Sequence, residues 1–322
     1  MTAGPEATVL EAARASGLLG AGRPVVVLLS GGRDSTCLLD VGVRLAGPEA
    51  ISALHVDFGL RPEAPADAAH CAALCAQLGV DLEVREARRP ADAGGNLLAW
   101  ARDARYAAAA EIAVRRGADI AAGHTATDQA ETVLYRLASS AGRRALLGMA
   151  SRSGRIVRPL LAVSRAQTAA YCAARGLAWR EDRSNADPRF ARARIRHDVL
   201  PALREIHAAA EANIGRSAEL LRDEAAVLDA AVDAALDGRE EIALDRLAAL
   251  PPALARLVLR RLAEAAAGGP APRAAGRLPD VLALRGRSGP AALDLGDGAR
   301  ASVRGGVLRL EATPPRQARP PA

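Results

Sequence analysis

Short apolar runs alternate with helical patterns along the first 140 residues, and this alternation restricts the fold more than any other feature of the chain. The apolar runs lie at 25–30, 51–57, 80–87 and 118–124. The helical patterns that follow them lie at 34–46, 65–78, 96–116 and 128–138. Nearly continuous apolar strands are typical of a parallel sheet covered by helices on both faces. We therefore predict an α/β fold built on a parallel sheet.

The pattern changes after residue 205. Residues 207–267 are rich in Ala and Leu with helical periodicity, and three short β-like runs (AALDL, ARASV, VLRLEA) follow from about 288. The separators GDG and RGG between these runs indicate a small β meander. We predict a first domain, a helical domain, a small C-terminal domain and a disordered tail, at 1–205, 206–270, 271–312 and 313–322.

Three polar motifs follow the predicted strands directly: SGGRDS at 30–35, HVDFG at 55–59 and GHTATD at 123–128. In open parallel sheets, ligands bind outside the carboxyl ends of the strands. We therefore expect these three motifs to lie at one edge of the sheet and to form the functional site.

The loop from Ser30 through Gly31, Gly32, Arg33 and Asp34 to Ser35 has the composition of a phosphate cradle. Two glycines allow close approach of the backbone, and a helix N-terminus attracts anions. Serine hydroxyls add donors, and a carboxylate can hold Mg²⁺ against phosphates. The spacing matches neither GxxxxGK[ST] nor GxGxxG. The alternative is an ordinary tight turn with Asp34 or Ser35 as the N-cap.

The basic residues are all arginine: there are 43 of them and the chain has no lysine, for a net charge of +6. Residues 151–205 hold twelve Arg against five acids, a local balance of +7. Since arginine binds phosphate as a planar fork, this segment indicates a nucleic-acid partner. The alternatives are a bias in composition or pairing of these arginines with acids.

The four cysteines form no CxxC pair. Cys71 and Cys75 lie one helical turn apart, which favours a buried helix face over a metal site. No apolar run is long enough for a membrane span, and the N-terminus lacks the pattern of a signal peptide. We expect a reduced, cytoplasmic protein without a membrane partner.

SGGRDS after a buried strand resembles the loop of the PP-loop ATP pyrophosphatases, which cleave ATP between the α and β phosphates. HVDFGLR (55–61), ARDARY (101–106) and GHTATDQAETVL (123–134) resemble the HVDHGLR, ARxxRY and GHxxDDQAETxL motifs of tRNA(Ile)-lysidine synthases. RPLLAVSR (158–165) and WREDRSNADPRFARARIRHDVLP (179–201) follow in the same order. The resemblance covers residues 20–205 well. It implies that 1–205 is a catalytic domain of the PP-loop, adenine nucleotide α-hydrolase-like fold and that 206–270 is a helical tRNA-binding or linker domain.

The resemblance also implies a reaction. Members of this family join L-lysine to C2 of the wobble cytidine in the CAU anticodon of tRNA(Ile), which makes lysidine. ATP first adenylates the cytidine O2, and the lysine ε-amine then displaces AMP. The expected cofactors are ATP and Mg²⁺, and the expected partners are tRNA(Ile) and L-lysine. The oligomeric state stays open, with a homodimer as one alternative.

The same resemblance assigns roles to acidic residues and histidines. The 30–35 loop would hold ATP, with Asp34 on Mg²⁺. Asp128 and Glu131 would hold the metal or the lysine amine, beside His124. His55 and Asp57 would lie near the base and ribose of the nucleotide. The alternatives are a structural role for His55, and a helix N-terminal box in which Asp128 is the cap and Glu131 reaches back.

The arginines of the motifs are assigned to the RNA. We expect Arg105 and Arg192 to contact substrate or tRNA, and Arg194 or Arg196 to lie near the reacting phosphate or cytidine. Arg192, Arg194 and Arg196 are too closely spaced to share one helix face. We therefore expect several backbone directions or an extended segment to present them, with a solvated surface as the alternative.

Several positions depart from the family pattern. Phe58 replaces the second His of HVDHG, Thr127 replaces the first Asp of the DD pair, and RNRIR reads RARIR here. Most glycines of the family are lost in 139–149. The rival hypotheses are a PP-loop enzyme that thiolates tRNA, an amide-forming ligase such as a GMP or NAD synthetase, and a nucleotide-binding module without catalysis. The absence of CxxC disfavours a thiolase with an iron–sulfur cluster, and the basic segment disfavours a small-molecule ligase.

Overall fold

The structure is a computed structural model that describes residues 4–60, 62–90, 94–140, 142–181, 190–286 and 289–314. Its contacts divide the chain into two compact units, Met1–Leu221 and Arg222–Ala322. The finer division expected from the sequence stays a prediction, and residues 315–322 of its tail lie outside the described ranges. Among the described residues, no helix has the length and hydropathy needed to span a membrane.

A six-stranded sheet forms the centre of the first unit, in the order β3-β2-β1-β4-β6-β5. Its strands are β1 (Val25–Leu28), β2 (Ile51–Asp57), β3 (Asp81–Glu86), β4 (Asp119–Ala121), β5 (Arg152–Ser153) and β6 (Ile156–Val157). All neighbours pair in parallel except β5 with β6, which are antiparallel. The predicted parallel sheet is confirmed. The two short strands β5 and β6 were not predicted, because two residues are too few to show a period.

Helices cover both faces of this sheet. The helices found along the chain up to residue 236 are α1 (Pro5–Ala15), α2 (Arg33–Ala46), α3 (Ala64–Leu78), α4 (Leu97–Arg116), α5 (Ala126–Ser139), α6 (Arg143–Leu146), α7 (Arg165–Ala174), α8 (Ala191–Arg194), α9 (Leu200–Ile206) and α10 (Ala210–Leu236). Val25 and Val27 of β1 belong to the core that includes α1, α2, α3 and α7, while Val26 and Leu28 pack with α4. Because successive side chains of a strand point to opposite faces, the all-apolar sequence of β1 supplies both cores.

The second unit contains an antiparallel sheet in the order β7-β10-β9-β8. Its elements are β7 (Glu241–Ala243), α11 (Leu244–Ala249), α12 (Pro252–Ala267), α13 (Leu278–Leu282), β8 (Ala291–Gly296), β9 (Ala299–Arg304) and β10 (Val307–Ala312). The predicted meander of three strands is confirmed. The pairs Asp297–Gly298 and Gly305–Gly306 close its hairpins with positive φ at every residue, as tight type I′ turns require.

A fourth strand, β7, lies inside the region that the sequence analysis assigned to helices. Only Ile242 of its three residues is buried, and the residues around it give no alternating pattern. β7 pairs with β10 from Val307↔Ala243 to Arg309↔Glu241. This strand exists because β10 offers an open edge, which is information that a local sequence window lacks.

Candidate active site

The loop between β1 and α2 has the geometry of a phosphate cradle. Gly31 adopts a φ of +78°, and Gly32 is the N-cap of α2 without a side-chain cap. The Ser30 and Ser35 hydroxyls lie 3.1 Å apart, and Ser35 Oγ donates to the Gly32 carbonyl oxygen at 2.8 Å. The alternative with Asp34 or Ser35 as the N-cap is wrong, because both lie inside the first turn. The uncapped helix end leaves its amides available to an anion.

The carboxyl end of β4 packs directly onto this loop through Gly123. A Cβ at position 123 would lie 3.1 Å from the carbonyl carbon and oxygen of Asp34 and 3.2 Å from the Ser35 nitrogen. Only glycine fits at such an approach without movement of the backbone. Gly123 therefore joins the β1 and β4 ends of the site, a role that was not predicted although the residue belongs to the GHTATD motif.

The Asp34 carboxylate is held from three sides. Its Oδ1 accepts hydrogen bonds from Thr168 Oγ1 at 2.5 Å and Arg33 Nε at 3.2 Å, and its Oδ2 lies 3.3 Å from Arg165 Nε. The side chain is 18 % exposed. Thr168 and Arg165 come from α7, 134 and 131 positions along the chain, and neither was predicted as a site residue. Arg165 ends the RPLLAVSR motif, which was the only sequence signal for it.

The N-cap of helix α5 is Thr125, about one turn before the Asp128 cap that the alternative box required. Thr125 Oγ1 accepts a hydrogen bond from the Asp128 nitrogen at 3.3 Å, and Asp128 Oδ2 accepts one from the Thr125 nitrogen at 2.8 Å. This reciprocal pair is a capping box with Thr125 as the cap. The alternative that made Asp128 the cap and Glu131 its partner is wrong. Glu131 lies inside the helix and takes no part in capping.

Glu131 instead forms a bidentate ion pair with Arg196. Arg196 Nε and Nη2 donate to the two carboxylate oxygens at 2.5 and 2.8 Å, and its Nη2 lies 3.6 Å from Asp128 Oδ1. Glu131 is only 2 % exposed, and burial raises its pKa while Arg196 acts in the opposite direction. The structure thus brings together Asp128, Glu131 and Arg196, which are 68 residues apart at most.

His124 lies beside this carboxylate pair as a neutral imidazole. Burial lowers its pKa to about 4; the nearby Asp128 acts against this shift, and Arg158, Arg102 and Arg192 add to it. Its Nδ1 atom is buried without a hydrogen-bond partner among the described residues. A neutral ring with one unsatisfied nitrogen can accept or donate a hydrogen bond to a bound substrate.

The three closely spaced arginines lie on a helix, so the expected extended segment is wrong. Arg192 and Arg194 belong to α8, and Arg196 lies in the π-helical turn Ile195–Val199 that follows. Ala193 and Leu200 are buried and anchor this helical segment, while Arg192 and Arg194 are exposed and Arg196 is half-buried. The other expectation, several backbone directions, is wrong as well, because α8 and the π-helical turn continue as one helix. The side chains differ in exposure because positions two apart lie on different sides of a helix. Residues 182–189 of the same motif lie outside the described ranges.

At the end of β2, His55 and Asp57 make local contacts. His55 is buried, and its Nδ1 lies 2.9 Å from the Leu29 carbonyl oxygen and 3.5 Å from Cys71 Sγ. Asp57 Oδ1 accepts a hydrogen bond from the Gly59 nitrogen at 2.7 Å, which turns the chain after the strand. These contacts support the structural alternative for His55. Arg105, from α4, lies over the Phe58 ring at 5.4 Å.

Residues 10–203 match the family described as PP-loop domain. A tRNA(Ile)-lysidine synthase of Thermobifida fusca is 42 % identical over 256 residues, which are 77 % of this chain and 79 % of the relative. The synthase of Azoarcus sp. is 41 % identical over 92 % of this chain and 66 % of the relative. The chain belongs to the tRNA(Ile)-lysidine synthase family.

Two further similarities concern the length of the chain and its fold. The chain spans 59 % of the length of the synthase of Thermus thermophilus, to which it is 41 % identical. Among solved structures, a U34-tRNA thiolase from Methanococcus maripaludis covers 67 % of this chain with a TM-score of 0.56 and 16 % identity. This likeness concerns the fold alone.

Thr127 departs from the lysidine synthase motif, and the structure shows what the threonine does. Its buried hydroxyl donates to Glu211 Oε2 at 2.8 Å and accepts a hydrogen bond from the Arg165 nitrogen at 3.2 Å. Glu211, at the start of α10, also pairs with Arg204. The partners Thr127 and Glu211 are 84 residues apart, and no local pattern connects them. An aspartate at 127 would have no proton to offer Glu211.

The segment 142–150, where the family's glycines are largely lost, is held by α5. Gln129 Nε2 donates to the Met149 carbonyl oxygen at 2.9 Å, and the Met149 nitrogen donates to Gln129 Oε1 at 2.6 Å. Gly148 has a φ of +58°, and a Cβ there would lie 2.6 Å from Gln129 Oε1. Of the two glycines that remain in the segment, Gly142 and Gly148, the second is the one that this contact requires.

Proposed function

We propose that this chain catalyses the ATP-dependent joining of L-lysine to C2 of the wobble cytidine in CAU-anticodon tRNA(Ile). The product is lysidine, with AMP and pyrophosphate released. One observation carries the proposal: Gly123 packs the carboxyl end of β4 against the first turn of α2. An uncapped glycine loop suited to phosphates therefore lies next to the strand that leads into Asp128 and Glu131.

The loop from Ser30 to Ser35 would bind the phosphates of ATP. Backbone amides at the start of α2 and the two serine hydroxyls supply donors, which explains why the cradle needs no lysine. Mg²⁺, when bound, neutralises phosphate charge. Asp34 fits this ion because it is a partly exposed carboxylate at the uncapped helix end. Among the described residues, no group of three His, Cys, Asp or Glu side chains is arranged to hold a metal ion. Asp34 would therefore be the single carboxylate that this part of the chain supplies to Mg²⁺.

The carboxylates of Asp128 and Glu131 would bind the lysine ε-ammonium and help to remove its proton. Their present cationic partner is Arg196, and a second cation can share the pair because two carboxylates carry more negative charge than one guanidinium balances. The pKa of Glu131 is raised by burial, which makes this group a stronger base than an exposed carboxylate. Arg194, Arg192 and His124 would position the tRNA and the reacting cytidine.

The test is incorporation of labelled lysine into a CAU-anticodon tRNA(Ile) transcript with ATP and Mg²⁺. A methionine tRNA with the same anticodon serves as the control substrate. Label in the first transcript alone would establish the reaction and its substrate. AMP and pyrophosphate without label in either transcript would keep the ATP chemistry and exclude this acceptor or nucleophile. No turnover of ATP would leave the chain a nucleotide-binding module and reject the proposal.

A further inference from the structure

Aromatic side chains are rare in this protein, and two of them are in contact beside the carboxyl end of β2. The chain has two Phe, two Trp and three Tyr. Phe58 follows β2 directly, and Trp100 lies in the first turn of α4. Their rings meet edge to face, with centroids 5.8 Å apart and an interplanar angle of 71°. Tyr106 lies further along α4 and packs, like Phe58, against the buried core beneath that helix.

One arginine lies over a ring of this pair, and a second lies over Tyr106. The Arg105 guanidinium lies 5.4 Å from the centroid of the Phe58 ring, and that of Arg102 lies 4.8 Å from the centroid of Tyr106. Neither arginine forms an ion pair with another described residue. Burial lowers the pKa of Arg105, which reflects a guanidinium held partly out of water without a carboxylate. A positive charge in this position is free to attract an anionic ligand.

The neighbouring surface is unusually apolar. Leu60, Leu97 and Leu98 are 50, 36 and 59 % exposed, and they flank Phe58 and Trp100 in the sequence. Exposed apolar surface beside aromatic rings and unpaired arginines is the combination with which proteins bind unstacked bases of single-stranded RNA. Phe58 also stands where the family motif has histidine, so a hydrogen-bonding ring has been exchanged for a purely apolar one.

We propose that Phe58 and Trp100, with Arg105 and Arg102, form a stacking platform for an unpaired base of the RNA substrate next to the modified cytidine. The aromatic faces bind the base and the guanidinium groups bind its phosphates. The inference deepens the proposed function, because it names the part of the site that holds the anticodon loop in position. Stacking tolerates any base, so the platform contributes affinity and register rather than sequence choice.

The fluorescence of Trp100 can report whether a ligand binds next to its ring. The substitution Trp179→Phe removes the other tryptophan and leaves Trp100 as the only one in the full chain. Its emission is titrated with a synthetic CAU anticodon stem–loop RNA and, separately, with a non-hydrolysable ATP analogue. We expect saturable quenching by the RNA and no response to the analogue. A response to the analogue alone would mean that the ring stacks on adenine, and no response to either would mean that it packs only within the protein. Both results overturn the proposal.

Substitutions then separate binding from packing. Phe58→Leu and Trp100→Leu keep apolar volume but remove the stacking face, and each should raise the Kd for the stem–loop on the order of tenfold. The affinity for the ATP analogue should stay unchanged. Tyr135→Leu, which removes an exposed aromatic ring on α5, is the matched control. Unchanged RNA affinity in both variants, or an equal loss in the control, would contradict the platform. If the RNA quenches the emission of Trp100 but the wild-type protein makes no lysidine, the proposed function is rejected and the platform proposal is retained.

Discussion

Asp34 shows how much a single side chain of this site depends on distant parts of the chain. Its place at the start of α2 comes from the SGGRDS motif, but its orientation comes from Thr168 and Arg165 on α7. A carboxylate held by a hydroxyl and two guanidinium groups is ready in one position before any ligand arrives. Such preorganisation saves the cost of ordering the group during the reaction.

We expect Asp34→Ala to abolish pyrophosphate release while the protein stays folded, because the substitution removes the proposed magnesium ligand and no core contact. Pyrophosphate production with tRNA(Ile) and ATP measures the first effect, and thermal unfolding measures the second. Asp34→Asn is a useful companion, since an amide can still accept the Thr168 hydrogen bond. Wild-type turnover in Asp34→Ala would remove this carboxylate from the mechanism.

Thr127 and Glu211 allow a test by a double-mutant cycle. Thr127→Asp places a second carboxylate against a buried one, and we expect a loss of about 2–4 kcal/mol in the free energy of unfolding. Glu211→Gln in the same chain removes the repulsion and restores a donor, so the double variant should be more stable than Thr127→Asp alone. Chemical denaturation of the four proteins measures the coupling. Additive effects would show that the two side chains do not interact.

At the scale of elements, the site is a junction of strand ends. β1 and β4 are neighbours in the sheet, and each leads into a helix whose first turn carries acidic groups. Gly123 allows the first turns of α2 and α5 to lie close together, because a larger residue there would meet the backbone of Asp34 and Ser35. The sheet order explains why motifs that are about 90 positions apart in the sequence act at one place.

We expect Gly123→Ala to cost about 1–3 kcal/mol of stability and to weaken ATP binding, because its methyl group would displace the backbone of Asp34 and Ser35. Gly20→Ala is the control, since no atom lies within 4 Å of a Cβ at that position. Thermal unfolding and calorimetric titration with ATP measure both effects. Unchanged ATP affinity in Gly123→Ala would show that the loop tolerates a shift of β4.

The helix that carries Arg194 and Arg196 predicts different results for the two arginines. Arg194→Ala should change stability by less than about 0.5 kcal/mol and weaken the use of tRNA far more than ATP binding. Arg196→Ala leaves Glu131 buried without its partner, which typically costs about 3–5 kcal/mol. Denaturation and the KM values for tRNA and ATP separate the two outcomes. An equal rise of both KM values in Arg194→Ala would contradict a role in tRNA binding.

At the scale of the whole molecule, half of the arginines of residues 151–205 are balanced by acidic side chains of the protein itself. Among the described residues, six of its twelve arginines pair with acids, and these pairs are Arg152–Asp119, Arg165–Asp34, Arg175–Asp40, Arg180–Asp67, Arg196–Glu131 and Arg204–Glu211. The acids all lie outside the segment in the sequence, which hid the pairing. The segment is therefore partly a structural connector between α7, the helices around the sheet and α10.

We expect tRNA affinity to fall with salt, and we expect the slope to depend on the exposed arginines. If Arg192 and Arg194 each neutralise one phosphate, the double alanine variant should reduce the slope of log K against log salt by about 1.4–1.8. Filter binding at several salt concentrations measures this slope. A slope that does not change would move the RNA contacts away from α8.

Local sequence determined the elements of the first unit closely. β2 spans the predicted 51–57, and α2 and α3 begin one residue before the predicted 34 and 65. Apolar strands and glycine loops are local signals that tertiary contacts reinforce. Two of the errors, in the cap of α5 and in the arginine segment, occurred where two local conformations were nearly equivalent. Either Thr125 or Asp128 can cap a helix, and a short run of alternating arginines fits a helix as well as an extended chain.

The sequence by itself determined strands β1 to β4 and the C-terminal meander, where the glycine loop lies and that the chain belongs among PP-loop proteins, because these properties depend on periodicity and on motifs read in order. Only the tertiary structure decided which charges meet. Glu131 with Arg196, Thr127 with Glu211 and Asp34 with Thr168 join residues that are 65–134 positions apart. Such pairs form because burial leaves a polar group no partner except what packing brings to it, and packing depends on the whole chain.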